Sequence, residues 1–526
     1  MENKQEKKSF VQRFLDGIER VGNKLPHPVF IFILLAIITI IASEIVYRAG
    51  VSVQYFDAKA EAETTVTAVS LLNKEGLNYI FNSAVQNFTG FAPLGTVIVV
   101  MLGVGIAEWS GLIGAALTRL IEKVPHSLLT IVIVFAGIVS NIASDAGYVV
   151  VVPLGAIMFA GAKRHPIAGL AAAFAGVSGG FSANLLFGPT DALLSGITNA
   201  SLHASGSAYE VSITGNWYFL IVSTVLLTIV GTLVTEKVVE PHLGSFHGDF
   251  EDHQADDLTA QEDLGLKRAG IALLVELIVL FLLINPWFGP FQSIDEETGK
   301  LTLQPFLRQG LIFMILLLFA IPGYVYGRTT GKFQSTSDIV EAMTDAMRSM
   351  AGFIVMAFFA SQLIAYFSHT NLGIILASSG ADFLEARNIT GIPLILVFIL
   401  FAAFINLFIG SASAKWAILA PIFVPMFMAI NLSPEITQMA YRVADSSTNI
   451  ISPLMTYFAM ILVFMQRYDK KSGMGTLIST MLPYSIAFLI FWSILLIIWY
   501  ALNLPLGPDA NVTIGFIQAL LPLGLL

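Results

Sequence analysis

Long apolar runs dominate this chain, at about 28–48, 93–121, 166–187, 217–236, 269–286, 309–327, 350–378, 434–465 and 478–502. Most come close to or exceed the ~20 residues that an α-helix needs to cross a hydrocarbon core of ~30 Å. None shows the strict alternation of a barrel strand, so the pattern predicts helices. Two further stretches, 126–161 and 392–430, are apolar at both ends and broken near the middle by small and polar residues. In the first, 126–140 and 147–161 hold 15 residues each. That is roughly 22 Å of helix, short of a full crossing. The pattern predicts re-entrant hairpins, whose irregular tips are tolerated only against protein or a water-filled cavity.

Composition agrees. Of 526 residues, 56% are hydrophobic and 12% charged, against about 25% charged in a globular domain. The expected fold is an all-α polytopic membrane protein with about nine transmembrane helices plus two re-entrant hairpins. The absence of cysteine excludes disulfides, thiolate catalysis and sulfur-ligated metals. The net charge of −9 comes largely from loops. Residues 1–27 read as an amphipathic interfacial segment, with Phe10, Phe14, Ile18 and Val21 at helical spacing, before an uncleaved anchor.

Basic clusters, among them the N-terminal lysines, Lys163–Arg164, Lys267–Arg268 and Lys470–Lys471, set the expected orientation. Nine spans and two hairpins place these clusters, and the N-terminus, on the cytoplasmic side. Arg48, Lys59, Lys74, Lys300, Arg308 and Arg387 fall outside as exceptions. The chain divides into a first half, 28–236, an acidic cytoplasmic loop, 237–268, and a second half, 269–526. The loop's His242, His247 and His253 are too loosely spaced to argue for a metal.

The two halves repeat at an offset of 268 residues. Pro125, Pro153 and Pro166 match Pro393, Pro421 and Pro434 without a gap, and SDAGY at 144–148 matches ASAKW at 412–416. The expected topology makes the copies inverted. Inverted repeats with interrupted helices are a signature of secondary transporters, which bind substrate and ions where the breaks meet. Free N–H groups at a break suit carboxylates, and free carbonyls suit Na+.

Polar residues concentrate at the interruptions. FINLFIGSASAKWAILAP carries Asn406, Ser411, Ser413, Lys415 and Trp416. YRVADSSTNIISP carries Asp445 and Asn449 four residues apart, with Pro453 to break the helix. In the first copy GVSGGFSANLLFGPTDALL carries Asn184, Gly188, Pro189 and Asp191. A carboxylate at membrane depth is a functional candidate, so Asp445 and Asp191 lead, although Asp191 is also placed to cap a helix. Asp145 at the first hairpin tip has the same two readings. Asn406 and Asn449 are candidate oxygen ligands. Trp416 stacks on an aromatic substrate or packs, and Lys415 neutralises an anion or snorkels away. Glu44, Glu108 and Glu276 read as interfacial.

Other classes fit less well. GVSG at 176–179 matches the GxSG of intramembrane serine proteases, but no histidine lies mid-span in a later helix to act as base. No HExxH, Walker A or dinucleotide fingerprint occurs. The reading is therefore not an enzyme. A passive channel remains an alternative to a coupled transporter.

The stretches GSASAKWAILAPIFVPMF, SPEITQMAYRVADSSTNIISP and GPTDALL resemble the p-aminobenzoyl-glutamate transporter (AbgT) family of bacterial inner-membrane proteins, and the resemblance extends over nearly the whole chain. It implies a bowl-shaped homodimer, folate-catabolite uptake or export of sulfonamide antimetabolites, and coupling to Na+ or H+ with no other cofactor. It implies coupling roles for Asp191 and Asp445, a cation site near Asn406, Pro434 and Asp445, substrate contacts at Ser413 and Trp416, and a helix break at Pro453. The expected partners are an aromatic anionic small molecule and membrane lipid, not nucleic acid. The alternative within transport is a Na+/dicarboxylate symporter of the same superfamily.

Overall fold

In the computed structural model the described residues are 28–57, 62–122, 124–143, 146–244, 258–285, 287–294, 301–303, 306, 310–387, 389–455 and 457–515. The N-terminal segment, Ser144, Asp145 and the acidic stretch 245–257 lie outside them.

Helices α1 (Pro28–Arg48), α10 (Ala260–Ile284) and α11 (Leu311–Thr330) stand apart from two sets that share one order. The first set is α2 (Lys74–Thr89), α3 (Ala92–Trp109), α4 (Leu112–Glu122), α5 (Leu129–Val139), α6 (Ala146–Gly161), α7 (Pro166–Phe174), α8 (Pro189–Ala204) and α9 (Trp217–Val234). The second is α12 (Thr336–Ser349), α13 (Ala351–His369), α14 (Leu372–Ala386), α15 (Gly391–Asn406), α16 (Ala412–Ala429), α17 (Pro434–Asn449), α18 (Phe458–Gln466) and α19 (Met474–Ala501). A short antiparallel hairpin, β1 (Ser52–Asp57) with β2 (Ala62–Thr67), follows α1.

Matched signals start matched helices. His165 before Pro166 and Ser433 before Pro434 each accept a backbone N–H of the first turn, from Ile167 and Ile436. Proline at the first helical position suits both. Several apolar runs that read as single spans are broken. The run 93–121 divides into α3 and α4 at Ser110–Gly111, where Gly111 has φ +87°. The run 350–378 divides into α13 and α14 at Asn371, φ 59°. The run 166–187 is α7, a π turn (Ala175–Gly179) and irregular chain to Gly188. The run 434–465 is α17, a non-helical segment and α18. Both expected hairpins are helix pairs, α5–α6 and α15–α16, with non-helical chain at 407–411 in the second. The loop read at 237–268 is shorter than expected: α9 continues through a π turn to Leu243, and α10 begins at Ala260 behind the Thr259–Glu262 capping box.

Among the described residues seven helices are long and apolar enough to cross a membrane, so the count of nine is not reproduced by length and composition. Large side chains are exposed on α1 (Ile41 50%, Ile45 62%) and α10 (Ile271 62%, Phe281 61%), the arrangement expected where the solvent is lipid. The interior is the reverse. Every residue of α17 is buried, including Arg442, Asp445, Ser446, Ser447, Thr448 and Asn449. The main core gathers α5–α9 and α15–α19 around it, while α11 packs on α3 and α10.

Candidate functional site

Three elements meet at the second hairpin. The last residue of α15 is Asn406, α16 starts behind Ser411, whose hydroxyl accepts the Ala414 N–H at 3.3 Å, and α17 crosses beside both. Asn406 Nδ2 donates to the Asp445 carbonyl (2.6 Å), to Thr448 Oγ1 (2.7 Å) and to Asn449 Oδ1 (3.0 Å). Asn449 Nδ2 donates to Asp445 Oδ2 at 3.3 Å, and Tyr441 OH donates to Asp445 Oδ1 at 3.3 Å. Lys415 Nζ reaches Asp445 Oδ1 at 2.5 Å and also donates to Asn406 Oδ1. Lys415 and Asp445 are each 1% exposed. Lys415 therefore does not snorkel: its partners lie on α15 and α17.

A second charge pair links the two sets of helices. Arg442, one turn before Asp445 on α17, places Nη2 2.7 Å from Asp191 Oδ1 on α8. Asp191 Oδ2 accepts the Gly188 N–H at 2.7 Å, so the carboxylate both caps α8 and pairs with Arg442. The pair is poorly satisfied: Asp191 Oδ1 and Arg442 Nε have no partner of hydrogen-bond geometry. Arg442 Nη2 also donates to the Ser182 carbonyl at 3.2 Å, and the Ser182 N–H donates to Ser446 Oγ at 3.1 Å. The irregular chain 180–188 thus rests on α17. Asn184 lies in it, buried, its side-chain oxygen accepting the Leu185 N–H.

Each hairpin tip abuts a break. A Cβ on Gly410 would lie 2.2 Å from the Leu454 carbonyl, a close approach only glycine permits. Ser452 Oγ donates to the Asn406 carbonyl at 3.2 Å, one residue before Pro453. In the first copy Gly188 faces the Ile142 carbonyl, and Tyr148 stacks on Tyr457 with ring centres 4.3 Å apart.

Trp416 is fully buried, stacked on Tyr441 at 4.7 Å, with Nε1 donating to Thr198 Oγ1 at 3.0 Å. Gln438 Nε2 donates to the same hydroxyl at 2.9 Å and its oxygen accepts from Asn216. Ser411 and Ser413 are half-buried, 3.2 Å apart. Pro434 is not brought to this cluster. It begins α17, about 16 Å along the helix from Asp445. The reading of Glu276 as interfacial also changes, because both its carboxylate oxygens are buried without a hydrogen bond. Asp145 lies outside the described residues. Sequence reasoning missed Arg442, Tyr441 and Thr198. A charge at membrane depth three residues from Asp445 was the available signal for Arg442.

Outside the spans, His165 sits where α6 turns into α7. Desolvation of its half-buried ring holds its pKa below 6.5, with the Glu240 and Asp469 carboxylates pulling partly back. Beside it Arg164 forks onto Glu240 (2.9 and 2.5 Å) and donates to Thr130 Oγ1 at 2.8 Å.

Lipid-facing helices around an interior of paired charges, with helices interrupted at those charges, are the make-up of a multi-pass membrane transporter. The particular kind follows from its relatives. A model of the AbgT putative transporter family matches residues 13–514, and the chain belongs to that family. It is 39% identical over 492 residues to the p-aminobenzoyl-glutamate transport protein of Escherichia coli (strain K12), covering 93% of this chain and 95% of that one. The crystal structure of the Alcanivorax borkumensis YdaH transporter is 43% identical, with a TM-score of 0.85 over 92% of this chain and 100% of that one. Neisseria gonorrhoeae MtrF, described with a class of antimetabolite efflux pumps, is 45% identical, with a TM-score of 0.88 over 95% of this chain and 100% of its own.

Proposed function

We propose that the chain is a cation-coupled secondary transporter of p-aminobenzoyl-glutamate or related aromatic amides. It acts as a homodimer in the bacterial inner membrane with its N-terminus in the cytoplasm. The observation that carries the reading is the buried cluster of Asn406, Lys415, Asp445 and Asn449, packed between the tip of one hairpin and one helix break. Carboxylate, carboxamide and hydroxyl oxygens are the donors a hard cation takes, and Asp445 supplies the counter-charge. Half-buried Ser411 and Ser413, at the N-terminus of α16, suit a substrate carboxylate. Trp416 forms the wall behind them, covered in this conformation by Tyr441 and Thr198.

The name of the E. coli relative supports the substrate class, and the description of MtrF supports antimetabolites as further cargo. The matched order of helices supports alternating access, with the hairpins and broken helices inverted relative to each other and moving against α1, α10 and α11. In proteoliposomes, labelled p-aminobenzoyl-glutamate is expected to accumulate above equilibrium under an imposed Na+ gradient at fixed pH, or under a pH gradient at fixed Na+, and Asp445→Asn is expected to abolish that accumulation. Displacement of bound substrate by succinate but not by aminobenzoyl compounds would show a dicarboxylate symporter. Equilibration without accumulation under either gradient would show a channel.

A further inference from the structure

We propose that the Lys415 ammonium is a tethered cation, filling the Asp445–Asn406 position between loads and exchanging with Na+ there. The idea rests on the cation-coupled reading above and adds a device to it. Lys415 Nζ sits against one oxygen of Asp445, at 2.5 Å, and against the side-chain oxygen of Asn406. These are the two oxygens best suited to a bound monovalent cation. Two positive charges beside one carboxylate in a low-dielectric interior repel strongly, so ammonium and Na+ exclude each other.

The fold itself does not demand this pair. At the offset of 268 residues, Asn406, Lys415, Asp445 and Asn449 correspond to Ile138, Gly147, Val177 and Phe181. The first copy carries uncharged residues at all four of these positions, so the hairpin-and-break motif does not require a buried ion pair there.

The displaced ammonium has somewhere to go. Ser411 is four residues before Lys415 and Ser413 two before, at the half-buried start of the same helix. A lysine stem is long and flexible enough to swing toward Ser411, its i−4 neighbour. There the ammonium meets a substrate carboxylate. Cation loading at Asp445 thus releases the charge that completes the anion site, and the two bindings favour each other reciprocally.

The test uses purified full-length protein in detergent. Radioactive Na+ binding is measured for the wild type, Lys415→Met and Lys415→Arg, and p-aminobenzoyl-glutamate binding is measured in Na+ and in choline. Lys415→Met is expected to bind Na+ about tenfold more tightly or better, because its competitor is gone. Its substrate affinity is expected to lose the Na+ dependence that the wild type and Lys415→Arg show. Na+ affinity in Lys415→Met equal to wild type, or a retained Na+ dependence of substrate binding, would overturn the role of Lys415 alone. Absence of Na+ binding by the wild type would overturn Na+ coupling, and this proposal with it. If Lys415→Met does not fold, labelling of wild-type Lys415 by a small amine reagent replaces it. Reactivity is expected to rise at saturating Na+ relative to choline, and unchanged reactivity overturns the exchange.

Discussion

Arg442 and Asp191 form a pair whose cost is visible in its geometry. Both are buried, and the 2.7 Å approach leaves Asp191 Oδ1 and Arg442 Nε without hydrogen-bond geometry. Removing one partner strands a buried charge, at a cost of about 3–5 kcal/mol. Arg442→Met is therefore expected to lower the unfolding temperature sharply in a detergent melt. Adding Asp191→Asn, which still accepts the Gly188 N–H, is expected to restore most of the loss. Two independent losses that simply add would show that the residues do not act as a pair. Asp191 and Asp445 were legible in the sequence because a carboxylate stands out in an apolar run. Arg442, on the same helix as Asp445, was less so, since a long arginine stem can snorkel its charge away from membrane depth and a short carboxylate cannot. The partner of Lys415 was not legible at all: periodicity tells which face of α16 it occupies, not which helix lies across from it.

Among elements, the repeated starts of α7 and α17 were readable from two prolines at one offset. The breaks in α3–α4 and α13–α14 were not, because the short polar interruptions Ser110–Gly111 and Ser368–Asn371 do not by themselves tell a turn from a helix that continues, and the positive φ of Gly111 and Asn371 marks the turn. At the start of α7, His165 Nδ1 accepts the Ile167 N–H at 3.3 Å, which requires the neutral ring. Its pKa in the folded protein is lowered from 6.5. The unfolded chain therefore takes up a proton first as the pH falls. Stability from this group is full above about pH 6.5 and declines as the pH drops from there through the depressed folded value. His165→Asn keeps a capping oxygen and does not titrate. Its melting temperature is expected to fall less than that of the wild type over this window. An acid limb identical in the two proteins would assign the loss to other groups.

Across the whole molecule, the two hairpin-and-break junctions share the interior, and the second carries the Lys415–Asp445 pair. Space for movement lies beside the first. A cavity of ≈330 Å³ separates the first hairpin's tip (Val139, Ile142) and Ile113 of α4 from Gly270 and Leu273 of α10 and Phe319 of α11. It lies between the part proposed to move and helices proposed to stay. Gly270 allows a clean probe, because a Cβ there meets nothing within 4 Å. Alanine is favoured over glycine within a helix by about 0.8–1 kcal/mol and leucine ranks close behind alanine, so Gly270→Leu is expected to fold at least as stably as the wild type while filling the space. If the tip must move into the cavity, substrate affinity in detergent stays at the wild-type value while exchange in proteoliposomes slows about tenfold or more, equivalent to about 1.4 kcal/mol on the barrier. A variant that melts no lower and exchanges at the wild-type rate would show that the first hairpin does not use this space, and that the moving boundary lies elsewhere.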